Sequence, residues 1–110
     1  MRVLVALLSV AASLHVTVWP QGTGARHTWT LRCAPAGGTL PNRASACAKL
    51  TRLRNPFAPA PPDVACAQIY GGPQTALVTG TFRGRTVQAT FNRRNGCEVA
   101  RWDAVRFLFR

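Results

Sequence analysis

What these 110 residues have least of is negative charge: the only carboxylate side chains are Asp63, Glu98 and Asp103. No two of them form an evident pair, so acid/base catalysis by matched carboxylates lacks its reagents. Histidine is almost as scarce, with His15 and His27 on separate strand-like segments. Neither a Gly-x-Ser-x-Gly elbow nor a glycine-rich phosphate loop occurs, and GTFRG at 80–84 reads as the turn of a hairpin. Cysteines stand at 33, 47, 66 and 97 without a Cys-x-x-Cys pair, which argues against a zinc site. Long apolar runs are missing too, so no segment approaches the roughly 18 residues of a membrane span. An enzyme, a metal, a cofactor and a membrane-embedded chain are therefore not expected.

Positive charge is plentiful. Thirteen arginines and Lys49 bring the formal net charge to +11. The arginines are scattered, with no run longer than the pair Arg93-Arg94, so a solvated surface is the preferred reading over a nucleic-acid footprint. Trp19, Trp29 and Trp102 are too dispersed to suggest a stacking platform for single strands. Nucleic acid is accordingly not an expected partner. A secreted cationic protein held to an anionic polymer stays open as an alternative, since charge alone supports it.

The opening stretch MRVLVALLSVAAS has a basic residue, an apolar run and small residues in the order of a secretory signal peptide. We take residues 1–12 as that leader and 13–110 as a single domain, placing the protein outside the cell. In an oxidising compartment four cysteines suggest two disulfides, with three connectivities open.

Along the domain, 13–18 reads as a strand ended by Trp19-Pro20-Gln21-Gly22. RHTWTLRC (26–33) alternates with period two, Trp29, Leu31 and Cys33 on one side. ASACAKLTRL (44–53) spaces Ala46, Leu50 and Leu53 as a helix does, and Pro56 stops it. NPFAPAPP (55–62) should be an extended, stiff connection. TALVTGTF, then Arg83-Gly84, then RTVQATF form a hairpin in which Arg is a weaker first turn residue than Asn or Asp. A helical turn is expected over 96–101, and DAVRFLF (103–109) as a closing strand with Val105, Phe107 and Phe109 aligned. The sum is an α+β domain: a five-stranded antiparallel sheet with two short helices packed on one face.

CAQIYGGP (66–73) fits none of these elements, because it sets apolar and aromatic side chains in what should be a loop. With CAPAGGTLPNRASACAKL (33–50), the 80–98 stretch through Gly84, Val87, Phe91, Cys97 and Glu98, and the closing aromatics Phe107 and Phe109, it resembles the Streptomyces subtilisin inhibitor family. Leu40 stands where that family has histidine, Ala67 where it often has proline, and Gly71 where aspartate often follows the tyrosine. The resemblance implies disulfides Cys33–Cys47 and Cys66–Cys97, each worth on the order of 3 kcal/mol. It implies a reactive-site loop of Cys66, Ala67, Gln68, Ile69 and Tyr70, with Gln68 as P1, the residue whose carbonyl the protease attacks, and Ile69 as P1′. It also implies a serine protease inhibitor and a homodimer made by packing sheets together. A neutral Gln68 suits the broad pocket of subtilisin-like enzymes better than a trypsin pocket whose buried aspartate wants a cation. On this reading Ala67 removes one lock from the loop and Gly71 adds freedom. Two other readings compete: a plain anchored turn with Ile69 and Tyr70 folded back on the core, and a transglutaminase substrate crosslinked through Gln68.

Overall fold

Alternation of apolar and polar residues decides the sheet. In the computed structural model, which describes residues 10–110, β1 (Ala12–Trp19), β2 (His27–Cys33), β3 (Thr75–Phe82) and β4 (Arg85–Phe91) form one antiparallel sheet in the order β2-β1-β3-β4. Val16 pairs with Trp29 on one side and Val78 on the other, and Val78 with Ala89, so the strands turn most of their apolar residues to one face, with Trp19 and Leu77 on the other. Leu14, Val16, Leu31, Val78, Ala89 and Phe91 build the core there, and each large buried side chain contributes about 1.5–3 kcal/mol. The leader expected over 1–12 falls, for residues 1–9, outside the described range. Val10 and Ala12 are buried in the core, and the Ala11 carbonyl accepts a hydrogen bond from Arg83 N at 2.9 Å.

Two helices cover the apolar face. α1 (Arg43–Arg52) buries Ala46, Cys47 and Leu50 and is tied to β2 by the Cys33–Cys47 disulfide. Lys49 and Arg52 occupy its last turn, where cations complement the helix dipole. Leu40, in the loop before it, is fully buried. α2 (Gly96–Ala104) starts at the N-cap Asn95, whose side-chain oxygen accepts from Glu98 N at 3.0 Å, and it buries Trp102.

Among the described residues the sheet has four strands, not the five expected. Residues 103–109 complete α2 and continue into a 3₁₀ turn, Arg106–Leu108. The buried positions there are Trp102, Val105 and Leu108, a spacing of three that belongs to tight helix, while Phe107 and Phe109 are only half-buried. The 105/107/109 alternation was a coincidence of an aromatic-rich tail. Phe109 packs instead on Trp102 and Phe91, with ring centroids 4.5 and 5.2 Å away.

The hairpin turn explains its unusual Arg. Arg83 and Gly84 both have positive φ, 51° and 76°, as a type I′ turn requires. Arg83 is held there by its side chain: its guanidinium donates to the Arg54 and Thr51 carbonyls at 3.0 and 3.3 Å, just where α1 ends.

Candidate functional site

The connection from α1 toward Cys66 is turned, not extended. Ala58 N bonds the Asn55 carbonyl and Val64 N the Pro61 carbonyl, both at 3.4 Å, so the proline-rich stretch bends twice. It is pinned between those bends. Phe57 meets Phe82 edge to face at 5.2 Å, and Arg101 Nε donates to the Ala58 carbonyl at 2.9 Å. The same guanidinium reaches Thr90 O and Glu98 Oε2, which ties the approach to β4 and α2 together.

Cys66 is joined to Cys97 in the first turn of α2, their Cα atoms 5.3 Å apart. Next to it, the Ala67 carbonyl accepts two hydrogen bonds at 2.8 Å, from Gly96 N and from Ile69 N. Gly96 N is one of the donors that a helix N-terminus leaves without an intrahelical partner. The Ile69 bond closes a three-residue turn with Gln68 at its apex, and since Gln68 lacks a positive φ this is the inverse γ form. Gln68 is exposed.

On both sides of the apex large apolar side chains face solvent. Val64, Ile69 and Tyr70 are 51%, 58% and 69% exposed, and they are the large hydrophobics that stand out of the surface among the described residues. All three fall within seven consecutive positions. Ile69 and Tyr70 are not folded back on the core.

The far end of the loop is held at Gly71. Its N–H donates to the Arg93 carbonyl at 2.7 Å, and its carbonyl accepts from Arg93 Nε at 3.0 Å. Arg93 belongs to the 92–95 link between β4 and α2, and its side chain is 14% exposed. Arg93 Nη1 forms a 2.9 Å ion pair with Asp103 on α2, and Arg106 reaches the same oxygen at 3.0 Å. The Arg93 hydrogen bond, helped by the positive charge of Arg106, holds the Asp103 carboxyl below the ordinary 3.8. The freedom expected of Gly71 is therefore absent: a Cβ there would lie 2.8 Å from Val99 Cγ2 and 3.1 Å from Arg93 Nε. Glycine is present because the loop lies close against α2, and that closeness stiffens it.

The chemistry available is that of a presented peptide. Among the described residues no group of three or more His, Cys, Asp or Glu could hold a metal ion. Ala67, Gln68, Ile69 and Tyr70 form an exposed stretch that follows the half-buried Cys66 at the start of α2, whereas Cys33–Cys47 braces the scaffold at α1 and β2.

The subtilisin inhibitor-like family profile matches residues 10–95. The chain belongs to the subtilisin inhibitor-like family. It is 39% identical over 74 residues, 64% of its own length, to a subtilisin inhibitor from Streptomyces violaceus. Those residues make up 50% of the relative, so the chain spans about half the length of the curated protein it matches. Among solved structures it is similar to Streptomyces caespitosus sermetstatin in complex with Bacillus licheniformis subtilisin. The TM-score is 0.52 and the identity 27%, over 86% of this chain and 96% of that one.

Within this subtilisin inhibitor-like domain, Arg93, Gly96, Arg101 and Asp103 are the parts of the loop's support that sequence reasoning missed. Three are charged residues in a chain whose arginines look like solvated surface. The one legible signal was Asn95-Gly-Cys-Glu98, a capping pattern that puts the start of a helix beside Cys97.

Proposed function

We propose that this chain is a secreted inhibitor, not an enzyme, that presents Gln68–Ile69 to subtilisin-like serine proteases as the peptide bond to attack. Gln68 enters the primary specificity pocket as P1, Ala67 and Cys66 lie behind it, and Ile69 and Tyr70 occupy the primed side. The observation that carries this reading is the combination of exposed apolar side chains at 64–70 with a backbone tethered at Cys66, Ala67 and Gly71. Exposed Ile and Tyr cost nothing further when a cleft covers them. Family membership supports the same conclusion, and so does the subtilisin bound in the sermetstatin complex.

Preorganisation supplies the affinity. A free peptide pays for each bond it freezes on entering a cleft, whereas this loop has already paid on folding. It adds to the enzyme by strand pairing, with pockets reading alternate side chains. Interfaces of this class bury about 1,600 Å² and include very tight complexes. Two disulfides suit an extracellular site of action. The second face of the sheet, where Trp19 and Leu77 are half-exposed, is the surface on which a second copy packs to form the homodimer.

Titrating subtilisin, trypsin and chymotrypsin with purified protein tests the reading. Subtilisin activity should fall linearly to an equivalence point, with weaker effects on the other two. Undiminished subtilisin turnover accompanied by rapid scission after Gln68 would overturn it.

A further inference from the structure

The two ends created by scission of Gln68–Ile69 are not equally secured. The acyl side ends two residues from Cys66, which is covalently bound to Cys97. On the amine side no crosslink exists, and the first fixed point after Ile69 and Tyr70 is Gly71. Both polar backbone atoms of Gly71 are taken by one residue, its N–H by the Arg93 carbonyl and its carbonyl by Arg93 Nε. The guanidinium thus supplies the second bond that a backbone amide supplies in an ordinary antiparallel bridge. Asp103 fixes the other edge of that guanidinium, and Trp102 lies beneath it with its centroid 5.8 Å from Arg93 Cζ.

We propose that Arg93, aligned by Asp103, is a positioning residue that holds the amine side of the cleaved loop in register, so that the peptide bond is remade faster than it is hydrolysed. The inference rests on the inhibitor reading above. In the forward step the protease serine oxygen adds to the Gln68 carbonyl carbon, the C–N bond to Ile69 breaks, and the serine proton ends on the Ile69 amine. Resynthesis reverses this: the amine nitrogen attacks the ester carbon, the ester C–O bond breaks, and a proton returns to the serine. Hydrolysis follows when water attacks the ester in place of the amine. The ratio of the two outcomes depends on how long the amine stays within reach, which is a matter of effective concentration. Arg93 sets that residence because nothing covalent does.

Arg93→Met keeps the stem over Trp102 and removes the donors and the charge, while Arg93→Lys restores charge beside Asp103 without the planar fork. Asp103→Asn leaves the loop contacts and weakens only their alignment. Two readouts are needed: the lifetime of the subtilisin complex with the fraction cut after Gln68, and amide exchange at Gly71 in the free protein. For Arg93→Met the association rate should stay within about twofold, since the apolar ridge and Cys66 are untouched. Complex lifetime should fall about 10- to 100-fold with cut protein accumulating, as expected for loss of a charge-assisted hydrogen bond. Gly71 exchange should rise by about tenfold or more, with Arg93→Lys intermediate and Asp103→Asn smaller in the same direction. Wild-type lifetime and cut fraction in a folded Arg93→Met protein, or unchanged Gly71 exchange, overturns the proposal. If Arg93→Met does not fold, Asp103→Asn decides by the same two readouts. Failure of the inhibitor reading shows separately, in an unmutated protein that leaves subtilisin active.

Discussion

The two flanks of the Gln68–Ile69 bond are stiffened by different physics. Upstream, a covalent bond at Cys66 backs a proline-rich approach pinned by Phe57 and Arg101. Downstream, a hydrogen bond from Gly71 N–H to the Arg93 carbonyl, one from Arg93 Nε to the Gly71 carbonyl and the Arg93–Asp103 ion pair do the same work at Gly71. The covalent flank acts mainly by restricting the unfolded chain, and it depends on redox conditions. The polar flank acts on the native loop, and it depends on charge. Both converge on α2, whose first turn carries Cys97 and Gly96 and whose last carries Asp103. The short helix is therefore the common platform for both sides of the loop.

This contrast can be broken one flank at a time. The largest effect should come from replacing Cys66 and Cys97 together by serine. Opening a loop of 31 residues should cost about 3–4 kcal/mol in denaturant unfolding and, on the proposed function, turn an inhibitor into a substrate. A double variant that stays uncut and inhibitory would shift the weight to the downstream flank. Gln68→Lys leaves both flanks intact and changes only the side chain that, on the proposed reading, enters the pocket. It should improve trypsin inhibition by about 100-fold, read from inhibition constants, because P1 decides pocket fit.

Gly71→Ala attacks the downstream flank sterically. With Val99 Cγ2 at 2.8 Å from the added methyl, unfolding should show a loss of about 1–3 kcal/mol, and the complex should shorten in lifetime more than it slows in forming. The smallest effect should be that of pH. The Asp103 carboxyl is depressed in the folded protein, so its contribution is fully present above its unfolded value near 3.9 and is lost as pH falls through the lower folded value. Melting temperatures of wild type and Asp103→Asn should therefore differ at pH 6 and converge once the pH has fallen through the depressed folded value. A gap that persists in acid would place the effect of the substitution somewhere other than charge.

Much of this molecule was legible in one dimension. Four strands, α1 and the hairpin turn follow from periods of two and three to four and from glycine and proline punctuation. The cysteine framework and CAQIYGGP led to the family and to the loop. The closing segment was misread because Val105, Phe107 and Phe109 alternate, and a run of seven residues carries too little pattern to separate a strand from a helix end. Gly71 was misread for a related reason, since a glycine's freedom in sequence terms says nothing about what lies 3 Å away from it.

Local pattern by itself determined four strands, the first helix and the place of the apolar 68–70 tripeptide outside them, because those depend on neighbours in sequence. It left three cysteine connectivities open, and the pairing came from the family resemblance. Only the tertiary structure decided which arginines are structural. Arg93 and Arg101 do not differ in sequence from the solvated ones, and they become supports through carbonyls at positions 71, 58 and 90 that folding carries to them. Hydrogen bonds to backbone oxygen carry no residue signature, so nothing in the chain's spelling marks their acceptors in advance.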